Sequence, residues 1–438
     1  MGDVGVPTLG PLDEGDGRVY HPESPRQQGL STEQLQRQPV AVTASTLISQ
    51  PRLVVLDTSH LAGLASDWAS ADRSRRRSAQ AFVPDLVERG WLPLLCWHQV
   101  EELLQHKDDE LVDQRLRYLR SWPLVAWVRP SDPGSGPGSV LEVLKAEVRA
   151  AYAHSGADLL QVRDLAREGL FLVGPGSEAI PDSFQDWRIL QAPLAERQEG
   201  SRRVAAIARW RATNIDNVRI SDLLAKPFRK TEDANRALQH LRNQLAGEIA
   251  TRGDKRIADP GAMADHFFAE IAREGRAIAP GGDLPPVIQL LLMAGLEPDD
   301  IDLSATVGQT TNLLVFRERL KMVADASGLP WQALKRVATQ DRLPVTVIEE
   351  CMRAYAQDQP ERKGSDLNDT HLLCLASYAD VTYVDKRTLE SVRRARGKVA
   401  AFDQLIDEVR KAGGHGEISA ALSPSACSSP CEQDVRRS

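Results

Sequence analysis

The sequence predicts an α/β fold in which a parallel sheet is split by a mostly α-helical insertion. Three observations carry that expectation. Short, wholly apolar runs at Leu53–Leu56, Trp91–Cys96 and Leu124–Val128 have the length and continuity of strands buried on both faces. Segments with helical spacing stand between them. The same alternation returns near the far end, where Val381–Val384 is again strand-like.

Residues 1–50 are rich in Gly, Pro, Gln and Ser, lack hydrophobic periodicity and are expected to be mobile. The first strand ends abruptly in Asp57-Thr58-Ser59. Residues 98–106 read as a helix with Val100, Leu103 and Leu104 on one face. Residues 131–139 (SDPGSGPGS) have the composition of a flexible linker. Most segments from 140 to 358 read as helix, among them 140–153, 232–251, 261–275, 286–295 and 312–326. No solenoid period repeats in this block. Residues 369–379 are expected to be helical, followed by the Val381–Val384 strand, a helical stretch at 387–412 and a disordered tail over 413–438. The expected layout is therefore one α/β domain made of 51–130 and 361–412, with 131–360 inserted, as chains tolerate where the two ends of an insertion lie close together.

Composition narrows the function classes. A chain of 438 residues corresponds to two to three domains of about 150 residues. With 42% hydrophobic and 26% charged residues it can bury a core. A formal charge of −7 argues against a general coat of positive charge for nucleic acid, though not against a local basic groove. Five scattered cysteines give no disulfide framework, and Cys427 and Cys431 lack a second pair to complete a zinc site. The longest apolar stretch, around Val287–Leu296, is too short to cross a bilayer, and the acidic N-terminus is unlike a signal peptide, so a cytoplasmic protein with no membrane contact is expected.

Two strand-like runs end in aspartate, Asp57 after LVVL and Asp385 after VTYV. In open α/β sheets the ligand crevice lies beyond the carboxyl ends of the strands. Helical segments add Glu102 in VEELL and Asp369 in SDLND. Carboxylates gathered at one point repel unless cations neutralise them, and their hard oxygens suit Mg²⁺ or Mn²⁺. Each residue also has a plainer reading: a strand-end Asp is often a cap, Asp366 with Asp369 three positions on suits a helix start, and Glu102 suits a solvated helix face.

The segments LVVLDTSHL, QVEELL and SDLNDTHLLCLASYADVTYVDKRTLE, taken in chain order, resemble a PIN-domain nuclease over about 51–130 and 361–412. The resemblance implies a metal-dependent ribonuclease whose Asp57, Glu102, Asp369 and Asp385 hold the ions, with Asp366 as a fifth ligand or a cap. It implies hydrolysis of RNA phosphodiesters, of single strands in particular, by a metal-activated water. Glu102 is preferred because Val100 and Leu103 supply the family's flanking apolar positions; Glu101, which borders the core stripe more closely, is the alternative. Thr58 and Ser59 are candidates to bond a ligand carboxylate or phosphate, or to cap the following helix. Lys386 and Arg387, directly after Asp385, are candidate phosphate contacts.

Other signals stay secondary. His98 and His371 are candidate ligands that suit packed histidines better, and the basic clusters at 73–77, 226–230 and 393–398 suit solvated faces as well as RNA. The turn at Gly328 invites a helix-turn-helix reading, although Trp331 and Leu334 suit a core. A haloacid-dehalogenase-type phosphatase needs a second Asp where Ser59 stands, and no GxSxG elbow or Walker loop is present. The competing class is a non-catalytic interaction protein with a degenerate scaffold, its helical insertion binding a protein partner.

Overall fold

The apolar runs become strands because their alternate side chains find helices on each side. In β1 (Arg52–Leu56), Leu53 and Val55 enter one core while Val54 and Leu56 enter the other. The same division holds in β2 (Trp91–Leu95) and β3 (Val125–Val128). The computed structural model describes residues 51–207, 215–225, 231–276, 284–356 and 360–422. The expected mobile segment 1–50, the basic cluster 226–230 and the tail from 423 onward lie outside the described residues.

From β1 the chain forms α1 (Thr58–Trp68) and α2 (Arg73–Glu88), then β2, α3 (Trp97–Leu104), α4 (Asp109–Arg120) and β3. Next come α5 (Val140–Ala153), α6 (Leu159–Leu170), β4 (Phe171–Gly174), α7 (Gly176–Ala179), a 3-10 stretch at Asp182–Leu190 and α8 (Gln191–Ile207). The helices α9 (Ile220–Leu224), α10 (Thr231–Arg252), α11 (Pro260–Arg276), α12 (Pro286–Met293), α13 (Val307–Ser327), α14 (Trp331–Val337) and α15 (Pro344–Tyr355) follow. The chain closes with α16 (Ser365–Leu373), β5 (Val381–Tyr383), α17 (Lys386–Arg396), α18 (Ala400–Leu405), β6 (Glu408–Arg410) and α19 (His415–Ala421).

The six strands lie in the order β4-β3-β2-β1-β5-β6, parallel throughout except for β4, which runs antiparallel to β3. The chain builds outward from β1 to β3 and then returns to the other side of β1 with β5. This reversal makes a topological switch point between β1 and β5, where doubly wound sheets open a crevice. One face of the sheet packs on α1, α2, α4 and α19; the other packs on α5, α6, α13, α15 and α18. A separate small core joins α8, α10 and α11 through Ala206, Leu245, Ile249 and Ala264.

Several sequence expectations change. Segment 131–139 is no free linker: Gly138 donates to the Val128 carbonyl at 2.7 Å and accepts from Trp97 N at 2.9 Å. A Cβ on Gly138 would lie 2.7 Å from the Arg129 carbonyl, so only glycine allows this approach. Helices from the expected insertion, α5, α6, α13 and α15, form one layer of the sheet, and β4 joins the sheet itself. The expected helix at 387–412 is interrupted, because Glu408–Arg410 pairs with β5 as β6. The tail begins later than 413: α19 buries Ile418, and the Trp91 indole donates to the Leu422 carbonyl at 3.1 Å. No helix among the described residues is long and apolar enough to cross a membrane.

Candidate functional site: an acidic cluster at the switch point

Asp57 and Asp385 leave adjacent parallel strands, and the Asp57 amide donates to the Tyr383 carbonyl at 3.0 Å. Both aspartates cap the helix that follows. Asp57 Oδ1 accepts from Ser59 N at 3.2 Å at the start of α1, and Asp385 Oδ1 accepts from Thr388 N at 2.7 Å at the start of α17. The capping reading therefore holds for both, and the helix N-termini favour their negative charge. Each cap uses one carboxylate oxygen, and the second oxygen of Asp385 accepts from Arg387 Nε at 3.1 Å.

Glu102 on α3 and Asp369 on α16 complete the group. Burial raises the Glu102 carboxyl above its usual range; the Thr58 hydroxyl, hydrogen-bonded to it, opposes that rise, and Asp57 adds repulsion. Burial pushes Asp369 up to about 8, with further repulsion from Asp57, Asp385, Glu102 and Asp366. Five acids therefore share one field. They do not close into a ready-made cage: among the described residues, no three of them bring ligand oxygens within 4.8 Å of one another. Burial opposes ionisation of Asp385, but hydrogen bonds from Thr388 and Arg387 outweigh it and hold the carboxyl below its usual value.

The candidate phosphate contacts divide. Arg387 is turned onto the acids, with Nε 3.1 Å from Asp385 Oδ2 and Nη1 3.7 Å from Asp366 Oδ1. Lys386 is exposed and lines a cleft of about 470 Å³ together with Asp57, Ser59, Asp385, Lys411 and His415. Thr58 is buried against Glu102 and orients that carboxylate, whereas Ser59 faces the cleft. No pattern in the sequence marks Lys411. It follows β6, so three neighbouring parallel strands deliver Asp57, Asp385 and Lys411 at the same edge. A three-residue strand leaves almost no periodic signal, which is why 387–412 read as helix.

The paired glutamates have different partners. Glu101 is 3% exposed and meets Arg197 Nε at 3.2 Å, while Glu102 meets Thr58 and Asp57. Adjacent helical residues diverge by about 100°, so only one of the two can face the switch point. His98 and His371 stack on each other with ring centroids 4.5 Å apart. Burial, then the His98 ring and two arginines, holds His371 down at about 3.

A second acidic group lies away from the sheet. Glu297, Asp299 and Asp300 bring ligand oxygens within 4.8 Å of one another. The Lys335 ammonium already fills the cation's place, at 2.8, 2.7 and 3.0 Å from the three carboxylates, and Arg317 adds a contact to Asp300 at 3.0 Å. Lys335 belongs to α14, the second helix of the element turning at Gly328 (φ 63°). Its lysine and the buried Leu334 are thus used inside the fold, which argues against a nucleic-acid-reading helix. At the surface, Arg73, Arg75, Arg77, Arg393, Arg394 and Lys398 are exposed. A scan against protein-family models and searches of curated proteins and of solved structures found no match to this chain.

Proposed function

We propose that the chain is a divalent-metal-dependent, PIN-like ribonuclease acting on single-stranded RNA. The observation that carries the reading is the shared field at Asp369, where five carboxylates from four elements of the switch point repel one another. Oxygen donors alone make up this set, which fits Mg²⁺ or Mn²⁺. Asp57, Glu102, Asp369 and Asp385 would hold the ion, with Asp366 as a further donor. When bound, such an ion supplies charge neutralisation and activation of a water for phosphodiester hydrolysis. Thr58 orients Glu102; Lys386 and Lys411 draw the RNA phosphates to the cleft edge; Arg387 keeps Asp385 and Asp366 compensated.

The test is direct. Asp57→Asn or Asp385→Asn abolishes Mn²⁺-dependent cleavage of single-stranded RNA while the far-ultraviolet circular dichroism is unchanged. Wild-type protein that binds no Mn²⁺ in calorimetry and cuts none of a panel of RNAs refutes the reading.

One observation favours a second reading. Arg387 already pairs with Asp385 and Asp366, and among the described residues no three acids of the switch-point cluster bring ligand oxygens within 4.8 Å of one another. A degenerate scaffold of this kind would serve as a non-catalytic interaction protein, with the helical block meeting a protein partner. It predicts that the two Asn variants keep the full biological effect.

A further inference from the structure

The helices that bring Glu102 and Asp369 to the switch point, α3 and α16, also meet through a chain of six polar side chains. Arg197 Nε lies 3.2 Å from Glu101 Oε1, and Glu101 Oε2 lies 3.7 Å from His98 Nδ1. The His98 ring stacks on His371 at 4.5 Å between centroids and 32° between planes. His371 Nε2 is 3.9 Å from Glu349 Oε1, and Arg319 bonds the other Glu349 oxygen. The order Arg-Glu-His-His-Glu-Arg reads the same in both directions.

Its ends belong to the helical block: Arg197 to α8, Arg319 to α13 and Glu349 to α15. Its middle belongs to the acid-bearing helices, with His98 and Glu101 on α3 and His371 on α16. The inner contacts are longer than hydrogen bonds, and Glu101 Oε2, His98 Nδ1, His371 Nδ1 and Glu349 Oε1 are buried without hydrogen-bond partners. The two arginines are therefore what compensates the buried Glu101 and the part-buried Glu349, and the ring stack is what joins the two halves of the chain. A buried carboxylate stripped of its partner is strongly destabilised, and it finds relief by moving toward solvent or by taking up a proton.

We propose that the helical block is a two-armed clamp, in which Arg197 acting through Glu101 and Arg319 acting through Glu349 are positioning residues that set the separation of Glu102 from Asp369. This rests on the metal-dependent reading of the acidic cluster. It gives the block a role in the site itself, in place of a separate partner-binding function. Loss of Arg197 frees a carboxylate one residue from Glu102, which Glu101 already repels.

The experiment uses the full chain and the variants Arg197→Ala, Arg197→Lys, Arg319→Ala and Arg203→Ala, at a temperature where all are folded by circular dichroism. Arg203 pairs with Glu199 at 3.5 Å on the surface of the same α8 and serves as the control. Calorimetric Mn²⁺ affinity should fall at least five-fold in Arg197→Ala and Arg319→Ala, with kcat lowered and KM for RNA unchanged. Arg197→Lys should recover most of the loss, and Arg203→Ala should match wild type. Alanine variants that melt earlier yet keep wild-type Mn²⁺ affinity and kcat when folded overturn the clamp. If wild type itself binds no Mn²⁺, the ribonuclease reading fails, and the clamp is judged by the imidazole resonances of His98 and His371. Movement of the His371 signals by Arg197→Ala, across two helices, supports it; signals that stay in place overturn it.

Discussion

Replacing Glu147 by Gln should make the protein more stable as the pH rises, by an amount the structure sets. Glu147 on α5 is fully buried; its Oε1 accepts the Tyr378 hydroxyl at 2.7 Å, and both oxygens accept Val345 N at 3.1 Å. It thereby ties α5 to the start of α15 and to the segment before β5. Burial pushes the carboxyl up to about 8, opposed by the Tyr378 and Val345 hydrogen bonds and assisted by repulsion from Glu349. The folded chain thus keeps this proton up to about 8, whereas the unfolded chain releases it near the ordinary glutamate value of 4.5. With more protons bound in the folded state, its stability contribution is full below the unfolded pKa and is lost as pH rises through the folded one. The slope in that window is at most about 1.4 kcal/mol per pH unit. Gln is neutral at every pH, and its Oε1 can accept from both Tyr378 and Val345. The difference in unfolding free energy between Glu147→Gln and wild type should therefore climb by about that slope from pH 5 to 8, reaching roughly 4 kcal/mol, and then level off. Urea unfolding at constant ionic strength in EDTA measures it, and subtraction cancels other titrating groups, Asp369 included. A difference that stays flat with pH refutes the buried neutral carboxyl, as does a variant less stable than wild type at pH 8.

Further outcomes follow from the charges around the two acidic groups. Lys386→Ala and Lys411→Ala should each weaken single-stranded RNA binding and flatten the log–log salt slope by roughly 0.7, with cleavage at saturating RNA kept; fluorescence anisotropy across a salt series reads this. An unchanged slope would remove Lys411 from the phosphate path. Lys335→Ala should lower the melting temperature, chiefly through the buried Asp300, since it strips the ammonium from three carboxylates. Added Ca²⁺ should restore part of that loss in the variant and leave wild-type stability unmoved, as thermal melts would show. A variant indifferent to Ca²⁺ would mean that the trio cannot act as an oxygen cage once Lys335 is gone.

Much of the site was legible because local chemistry marks it. Asp57 and Asp385 end apolar runs and cap the following helices, two signals that residues in sequence provide together. Asp369 and Glu102 were placed on helices by short patterns flanking them. Lys411 escaped because its strand has three residues, and β4 escaped because its apolar run continues directly from α6. Glu101 and Glu102 differ only in which way a helix turns them; the buried stripe of Val100, Leu103 and Leu104 sets that turn, and Arg197 on α8, far along the chain, gives Glu101 its partner. Nothing local marked Glu147 or Lys335 as buried. The Gly-rich segment 131–139 misled because composition reports flexibility in an isolated chain, whereas Gly138 is there to let two backbones touch.

By itself the sequence determined the α/β class, the first three strands and β5, and the capping aspartates, since run length, side-chain alternation and cap chemistry act within a few residues. Tertiary structure alone decided that Asp57 and Asp385 share a switch point, which depends on β5 pairing with β1 across more than three hundred residues. It also decided that helices from the apparent insertion cover one face of the sheet and grip α3 and α16. The physical reason is the range of the forces involved. Caps and strand patterns act between neighbours in sequence, whereas burial and the joint repulsion at Asp369 exist only once distant segments have packed together.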